Sequence, residues 1–305
     1  MSLNLTIKKI KSIYKNHDKL EEILKDLNDD ICIDYWANKF CSDDFGNNKE
    51  LSKELFKIYT DTCESSHMLN SIAYDISKKD ILNDKDWAKE LYIKAINLSD
   101  EDILCLKAIA CNIASSESLN DKQWARSIYK KISNNLNELS DYNNLISSIN
   151  AHIEDKNWVL DLIKKAKEAL LLSDDKFEFA GYCSEVYTLA LNIADVNIAN
   201  DKESAKVIFE IIKEYENINE LLEAGRTIKE IYKDEDTYVE TYMNECLEKV
   251  IEIMDDNHYC DIYDFIKNDM EDNHKAEIFK NEFIDDIQKI NTCEPKKSSN
   301  LYYCF

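Results

Sequence analysis

The chain has 305 residues, with 61 acidic against 38 basic side chains, a net charge of -23, only 3 glycines and a single proline, Pro295. So few turn-forming residues disfavour strand-rich and α/β folds, which rely on their special backbone angles, and so much negative charge argues against general DNA or RNA binding. No run of 18 apolar residues marks a membrane span, and the lysine-interrupted opening MSLNLTIKKIKSIYK lacks the apolar core of a signal peptide; a cytoplasmic location is expected, with no membrane partner.

Helical periodicity begins at once. Leu3 to Lys15, Lys19 to Leu27 and Ile31 to Phe40 read as three helices, and residues 1–47 are expected to form an N-terminal helical cap. From there the chain repeats itself. NKELSKELFKIY starts at Asn48, DKDWAKELYIKA at Asp84, DKQWARSIYKKI at Asp121, DKNWVLDLIKKA at Asp155 and DKESAKVIFEII at Asp201, at spacings of 36, 37, 34 and 46 residues. The longer spacing is assigned to extra residues in LLSDDKFEFAGY. Fainter copies, DTYVETYMNECL from Asp236 and NHKAEIFKNEFI from Asn273, carry the array to about residue 290.

A period of 34 to 37 residues holds two helices and two short connections, the unit of a helical solenoid. In each repeated segment Trp87, Ala88, Leu91, Tyr92 and Ala95, or Trp124, Ala125, Ile128, Tyr129 and Ile132, form one apolar stripe, so the segment reads as the second helix of a pair. Ala88, Ala125 and Ala205 place small side chains where two helices approach closely. The first helices are Ile103 to Ser115, Tyr142 to His152 and Tyr182 to Ala194. The expected architecture is all-α: a right-handed αα superhelical solenoid of antiparallel helix pairs over residues 48–290, with a tail at 291–305.

The helix starts carry their own signal. Asn83, Asn120 and Asn200 are expected as N-caps, with Asp86, Gln123 and Glu203 three residues on as capping-box partners. Asp84, Asp121 and Asp201 then fall in the first turn, where negative charge meets the helix dipole favourably. These acids read as helix-start devices in preference to an array of ligand-binding carboxylates.

The pattern D-x-x-x-A-x-x-[LI]-Y-x-K, carried by Asp84, Ala88, Leu91, Tyr92 and Lys94 and by Asp121, Ala125, Ile128, Tyr129 and Lys131, resembles the second helix of Sel1-like repeats, relatives of the tetratricopeptide repeats. Asp201, Ala205, Ile208 and Phe209 give a weaker copy. The glycines usual in such helix pairs are missing, so the resemblance is to a divergent member. It implies a superhelical adaptor surface and brings no catalytic residue.

Motifs that carry chemistry are sparse. Gly46, Gly181 and Gly225 stand too far apart to build a phosphate-cradling loop, and no hydrolase or zinc-protease signature is present. His258, Cys260 and His274 form the only metal suspicion, at a spacing that matches no standard ligand pattern. Asp255-Asp256 and Asp285-Asp286 are adjacent acid pairs, read as solvated. The ten cysteines are scattered, without a C-x-x-C pair, and read as small buried hydrophobes in a reducing compartment.

No catalytic residue, cofactor or metal is expected. Residues 231–290 hold 18 acids and 6 lysines, against 4 acids and 6 lysines in residues 1–28. Solubility and an acidic surface for a basic partner both account for this bias. The expected function is a non-enzymatic protein-binding scaffold or adaptor. A bacterial immunity or inhibitor protein that neutralises a basic partner is the alternative, with a nucleic-acid mimic and an enzyme behind it.

Overall fold

The computed structural model of the chain describes residues 3–28, 33–100, 102–173, 175–254 and 258–282. Among them every regular element is helical. Contacts divide the chain into two compact units, residues 1–137 with 144–159 and residues 138–143 with 160–305.

The first unit opens with α1 (Leu3–Ile13), α2 (Leu20–Asn28) and α3 (Ile33–Lys39), followed by a 3₁₀ turn at Asp43–Phe45. Next come α4 (Lys49–Thr62), α5 (Ser66–Ser77), α6 (Lys85–Leu98), α7 (Ile103–Ala114) and α8 (Lys122–Ser133). α3 packs on α4, α5 on α6 and α7 on α8. Within the second pair, the Asp84 N–H meets the Ile76 carbonyl at one end, and the Ser66 hydroxyl donates to the Ala95 carbonyl at the other. The two helices therefore run antiparallel. α1 also lies on α4, clasped by an ion pair between Lys9 and Glu54.

α9 (Leu139–His152) and α10 (Lys156–Leu172) each have residues in both units. The second unit continues with α11 (Lys176–Ala180), α12 (Cys183–Ala194), α13 (Lys202–Ile212), α14 (Ile218–Ile231), α15 (Asp236–Ile253) and α16 (Tyr259–Asp264). A π-helical segment at Phe265–Asp269 and α17 (Asn273–Glu282) complete it. α12 packs on α13 and α14 on α15. α11 is the extra length anticipated inside the longest spacing. The expected tail at 291–305 lies outside the described residues.

The apolar stripes read from the sequence form the core. Ala88, Leu91, Tyr92 and Ala95 are buried on α6, Ala125, Ile128, Tyr129 and Ile132 on α8, and Ala205, Ile208, Phe209 and Ile212 on α13. Each large apolar side chain fully buried in this way contributes roughly 1.5–3 kcal/mol. The tryptophans differ from the rest of the stripe. Trp87, Trp124 and Trp158 are half-buried at its edge, and Trp124 meets Tyr92 of the preceding pair edge-on at 6.3 Å. Two of the most deeply buried tyrosine hydroxyls find partners, which offsets their desolvation: Tyr92 bonds Ser118, and Tyr242 donates to the Phe209 carbonyl.

One connection recurs inside the pairs. From α3 to α4, α5 to α6, α7 to α8 and α12 to α13, the cap residue's N–H returns to a carbonyl near the end of the first helix, in the order Asn48 to Phe40, Asp84 to Ile76, Asp121 to Ile113 and Asp201 to Ile193. The residue before each cap, Asn47, Asn83, Asn120 or Asn200, has φ between 51° and 55°. Its own N–H bonds Ser42, Lys78, Ser115 or Asp195 in turn. Asparagine tolerates this left-handed conformation because its short amide bonds locally, whereas most L residues are strained there.

The expected capping register is therefore corrected by one residue. Asp84, Asp121 and Asp201 are the N-caps, accepting from the N–H groups of Trp87, Trp124 and Ser204. Asn83, Asn120 and Asn200 supply the left-handed turn instead. With the cap moved, Asp86, Gln123 and Glu203 no longer stand at the capping-box position. Asn48, Asp155 and Asp272 cap their helices in the same way, each directly after a residue of positive φ. Before Asp155 and Asp272 that residue is glutamate, and a lysine binds its carboxylate: Lys122 holds Glu154 and Lys229 holds Glu271.

Two stability measurements test this description. Asn120→Ala is expected to lower the unfolding free energy by about 1 kcal/mol, because alanine resists the left-handed turn, while Asn120→Gly is tolerated; urea titration separates the two. Gly225 lies in α14, where an added Cβ would sit 2.7 Å from the buried Phe265 ring. Gly225→Ala is thus expected to destabilise by about 1–3 kcal/mol through overpacking, despite alanine's better helix propensity.

Candidate interaction surface

Four second helices carry, five residues after the cap, a cation that the sequence reading passed over. Lys53 follows Asn48, Lys89 follows Asp84, Arg126 follows Asp121 and Lys206 follows Asp201 at this interval. Each reaches forward to the start of the next second helix. Lys53 pairs with the Asp84 cap at 2.6 Å and lies over the Trp87 ring at 5.6 Å. Arg126 pairs with the Asp155 cap and lies over Trp158 at 5.3 Å. Lys206 pairs with Glu235 at 2.6 Å and lies over Tyr238 at 4.7 Å. Lys89 covers Trp124 at 5.7 Å.

Carboxylate and aromatic ring thus form a clip for a cation of the preceding pair. A half-exposed clip combines a cation–π contact of about 0.5–1 kcal/mol with an ion pair of similar or smaller worth. Its signal was present in the sequence as a basic residue directly after Ala88, Ala125 and Ala205. At the corresponding place after Asp155 stands Leu160, and Lys167 bonds Ser204 instead.

The first helices are tied by a separate polar ladder. Asn112 donates to Asn70, Lys107 to Asn144 and Asn143 to Glu185, and the Tyr187 and Thr227 hydroxyls bond each other. These side chains are spent on joining helices. Two surface recesses lie beside clips, one lined by Lys53, Lys57, Asp61, Asp84, Trp87 and Glu90, the other by Asp234 to Tyr238 with Thr241. Both are open and shallow.

Five of the 18 acids in residues 231–290 are held in ion pairs with lysine or arginine. Glu235, Glu245, Asp269, Glu271 and Asp272 pair with Lys206, Lys213, Arg226, Lys229 and Lys275. Burial works to lower the Lys213 pKa, but Glu210 and Glu245 outweigh it and hold the ammonium charged. Glu240, Glu248 and Glu252 remain exposed on α15 and outside every ion pair among the described residues.

No group of three or more metal-ligating side chains is brought together among the described residues, so His258, Cys260 and His274 do not converge. Asp255-Asp256 and Asp285-Asp286 lie outside the described residues. Cys41, Cys105, Cys183 and Cys246 are buried thiols. Cys183 and Cys246 are pushed up, Cys246 to about 12, first by burial, which is the opposite of nucleophile activation. No described helix is long and apolar enough to cross a membrane. Comparison with known proteins gives no match, whether to a family model, a curated protein or a solved structure.

The cap carboxylates make the clips sensitive to acid. Asp84 is held below its ordinary 3.8, chiefly by the hydrogen bond from Lys53; burial opposes this, and the Trp87 N–H adds to the lowering. Asp155 is lowered first by the Trp158 N–H and then by Arg126, and Asp201 first by the Ser204 hydroxyl. A carboxyl depressed in the folded state contributes stability above its unfolded pKa and loses it as pH falls through the folded value. Denaturant titrations from about pH 5 down to pH 3 should therefore show stability falling. Asp84→Asn keeps the cap acceptor but removes the charge, and is expected to flatten that fall while costing less than about 1 kcal/mol at neutral pH.

Proposed function

We propose that the chain is a non-enzymatic protein-binding scaffold, an αα-repeat adaptor of divergent Sel1-like or tetratricopeptide-like type. The right-handed superhelical stacking usual for such pairs belongs to this proposal. The observation that carries it is the contrast between inward and outward positions of the repeated helix. One, two, six and nine residues after the cap, side chains are exposed in all of α6, α8 and α13; the first is lysine in each, Lys85, Lys122 and Lys202, and the later ones differ. At the sixth they are Glu90, Ser127 and Val207, and at the ninth Ile93, Lys130 and Glu210.

Four and eight residues after the cap, by contrast, Ala88, Ala125 and Ala205 and then Tyr92, Tyr129 and Phe209 stay buried and alike. A module that holds its core and capping constant while its outward chemistry changes is suited to recognition spread over several repeats. The free carboxylates Glu240, Glu248 and Glu252 favour a basic partner, because like-signed neighbours raise local potential and steer association. That favours an inhibitor or immunity protein directed at a basic target as the narrower second reading.

Affinity capture of the tagged full chain from its host, at low and at moderate salt, tests the proposal. A stoichiometric protein partner is the expected result, and a basic one should bind more weakly as salt rises. Recovery of the chain alone under both conditions overturns the scaffold reading.

A further inference from the structure

The reversal between α9 and α10 is made differently from its neighbours. Six residues separate the first helix from the next cap at 78–83, 115–120 and 195–200. Only Ile153 and Glu154 lie between His152, the last residue of α9, and the cap Asp155. The turn therefore rests on Glu154, whose φ of 60° is left-handed. Asparagine eases that conformation because its short amide bonds locally, and glutamate has no such short group.

Support comes from α8 instead. Lys122 pairs with Glu154 at 2.8 Å. Arg126, one turn further on, pairs with Asp155 and lies over the Trp158 ring at 5.3 Å. Both residues of the turn are thus gripped by cations of a single helix. The Lys122–Glu154 grip is open to water, with side chains 46% and 70% exposed, and such a pair is easily broken.

A titratable group stands beside this grip. His152 is half-buried, and burial first and Lys122 second hold its pKa below the ordinary 6.5. Glu154 is held below 4.5 by the hydrogen bond from Lys122, and Asp155 below 3.8, first by the Trp158 N–H and then by Arg126. The charged and titratable groups at the turn are therefore Lys122 and Arg126 from α8, His152 from α9, Glu154 itself and Asp155 from α10, with Lys156 exposed next to it. α7 meets α9 farther from the turn, at Asn144 and Ser148.

The three depressed groups act in one direction. Each contributes stability above its unfolded pKa and loses it as pH falls through the folded value. His152 is reached first, because a histidine titrates closest to neutrality. An imidazolium there sets a second positive charge beside Lys122 and works against the place of that lysine on Glu154.

We propose that the α9–α10 reversal is an acid-sensitive latch, in which charging of His152 drives Lys122 off Glu154 and the strained turn opens while the other repeats stay folded. This goes beyond the scaffold reading, since it gives pH control over one stretch of the repeat surface. Opening also withdraws Arg126 from Trp158, so that ring reports the state of the latch.

The test is fluorine NMR of the full chain labelled with 5-fluorotryptophan. The four tryptophans give four resonances, and Trp158→Phe identifies the one that matters. In a titration from about pH 7.5 to about pH 5, the Trp158 resonance alone is expected to move, beginning as pH falls below 6.5. Glu154→Asn installs the residue that makes the turn at Asn83, Asn120 and Asn200, and so removes the need for Lys122. His152→Gln removes the group that titrates. Each substitution should abolish the movement over this range, and thermal melts at neutral pH verify that both variants fold. A Trp158 resonance that stays still, that moves only together with the other three, or that moves as before in either variant overturns the proposal.

Discussion

The architecture depends on how the backbone reverses between paired helices. At each reversal the first helix ends with carbonyls that lack partners, and the second begins with N–H groups that lack them. At the α3–α4, α5–α6, α7–α8 and α12–α13 reversals a dipeptide deals with both. A left-handed residue turns the chain so that the next N–H meets a carbonyl near the end of the first helix, and the following side chain accepts the N–H three residues on, as in Asn83-Asp84 and Asn120-Asp121. Asparagine does here what glycine does at many helix ends. That substitution lets a chain with three glycines reverse direction again and again.

Because the junction fixes where each second helix starts, everything counted from it recurs. The fourth residue is a buried alanine in α6, α8 and α13, which admits close helix approach. The fifth carries the cation that reaches the next cap, so an aspartate that starts one helix also anchors the pair before it. Positions spent on capping, close packing and clipping are constrained by geometry. Of the remaining outward positions, the first after the cap is lysine in each of these helices, while at the sixth and ninth the chemistry differs from one helix to the next.

Most of the helical order was legible in the sequence, since apolar stripes, cap residues and spacing all agreed. α7 and α12 begin within a residue of their expected starts, while α9 starts at Leu139, three residues before Tyr142. The cap register was legible only to within one residue. Asparagine and aspartate are both good N-caps, and adjacent in the chain they offer two equivalent readings until backbone geometry assigns one to the turn. The tryptophans misled in another way: Trp87 and Trp124 share the periodicity of the core, yet their place at the edge of the stripe leaves them half-exposed beneath a cation. A lysine on a helix surface is ordinary, so Lys53 and Lys206 draw no notice until the next helix is in place.

By itself the sequence determined that the chain is helical, that it is built from pairs of about 36 residues and that one unit is longer. These properties come from local periodicity and from the few residues that tolerate a turn. Tertiary structure alone decided which residue of each Asn-Asp pair makes the turn, which cation meets which cap, and which acids are left unpaired. It also decided that the longer unit presents Leu172 and Tyr182 to solvent while burying Ala180. The physical reason is distance along the chain. Helical periodicity is written within four residues, whereas Lys53 finds Asp84 and Lys206 finds Glu235 about thirty residues away, and only packing brings such groups together.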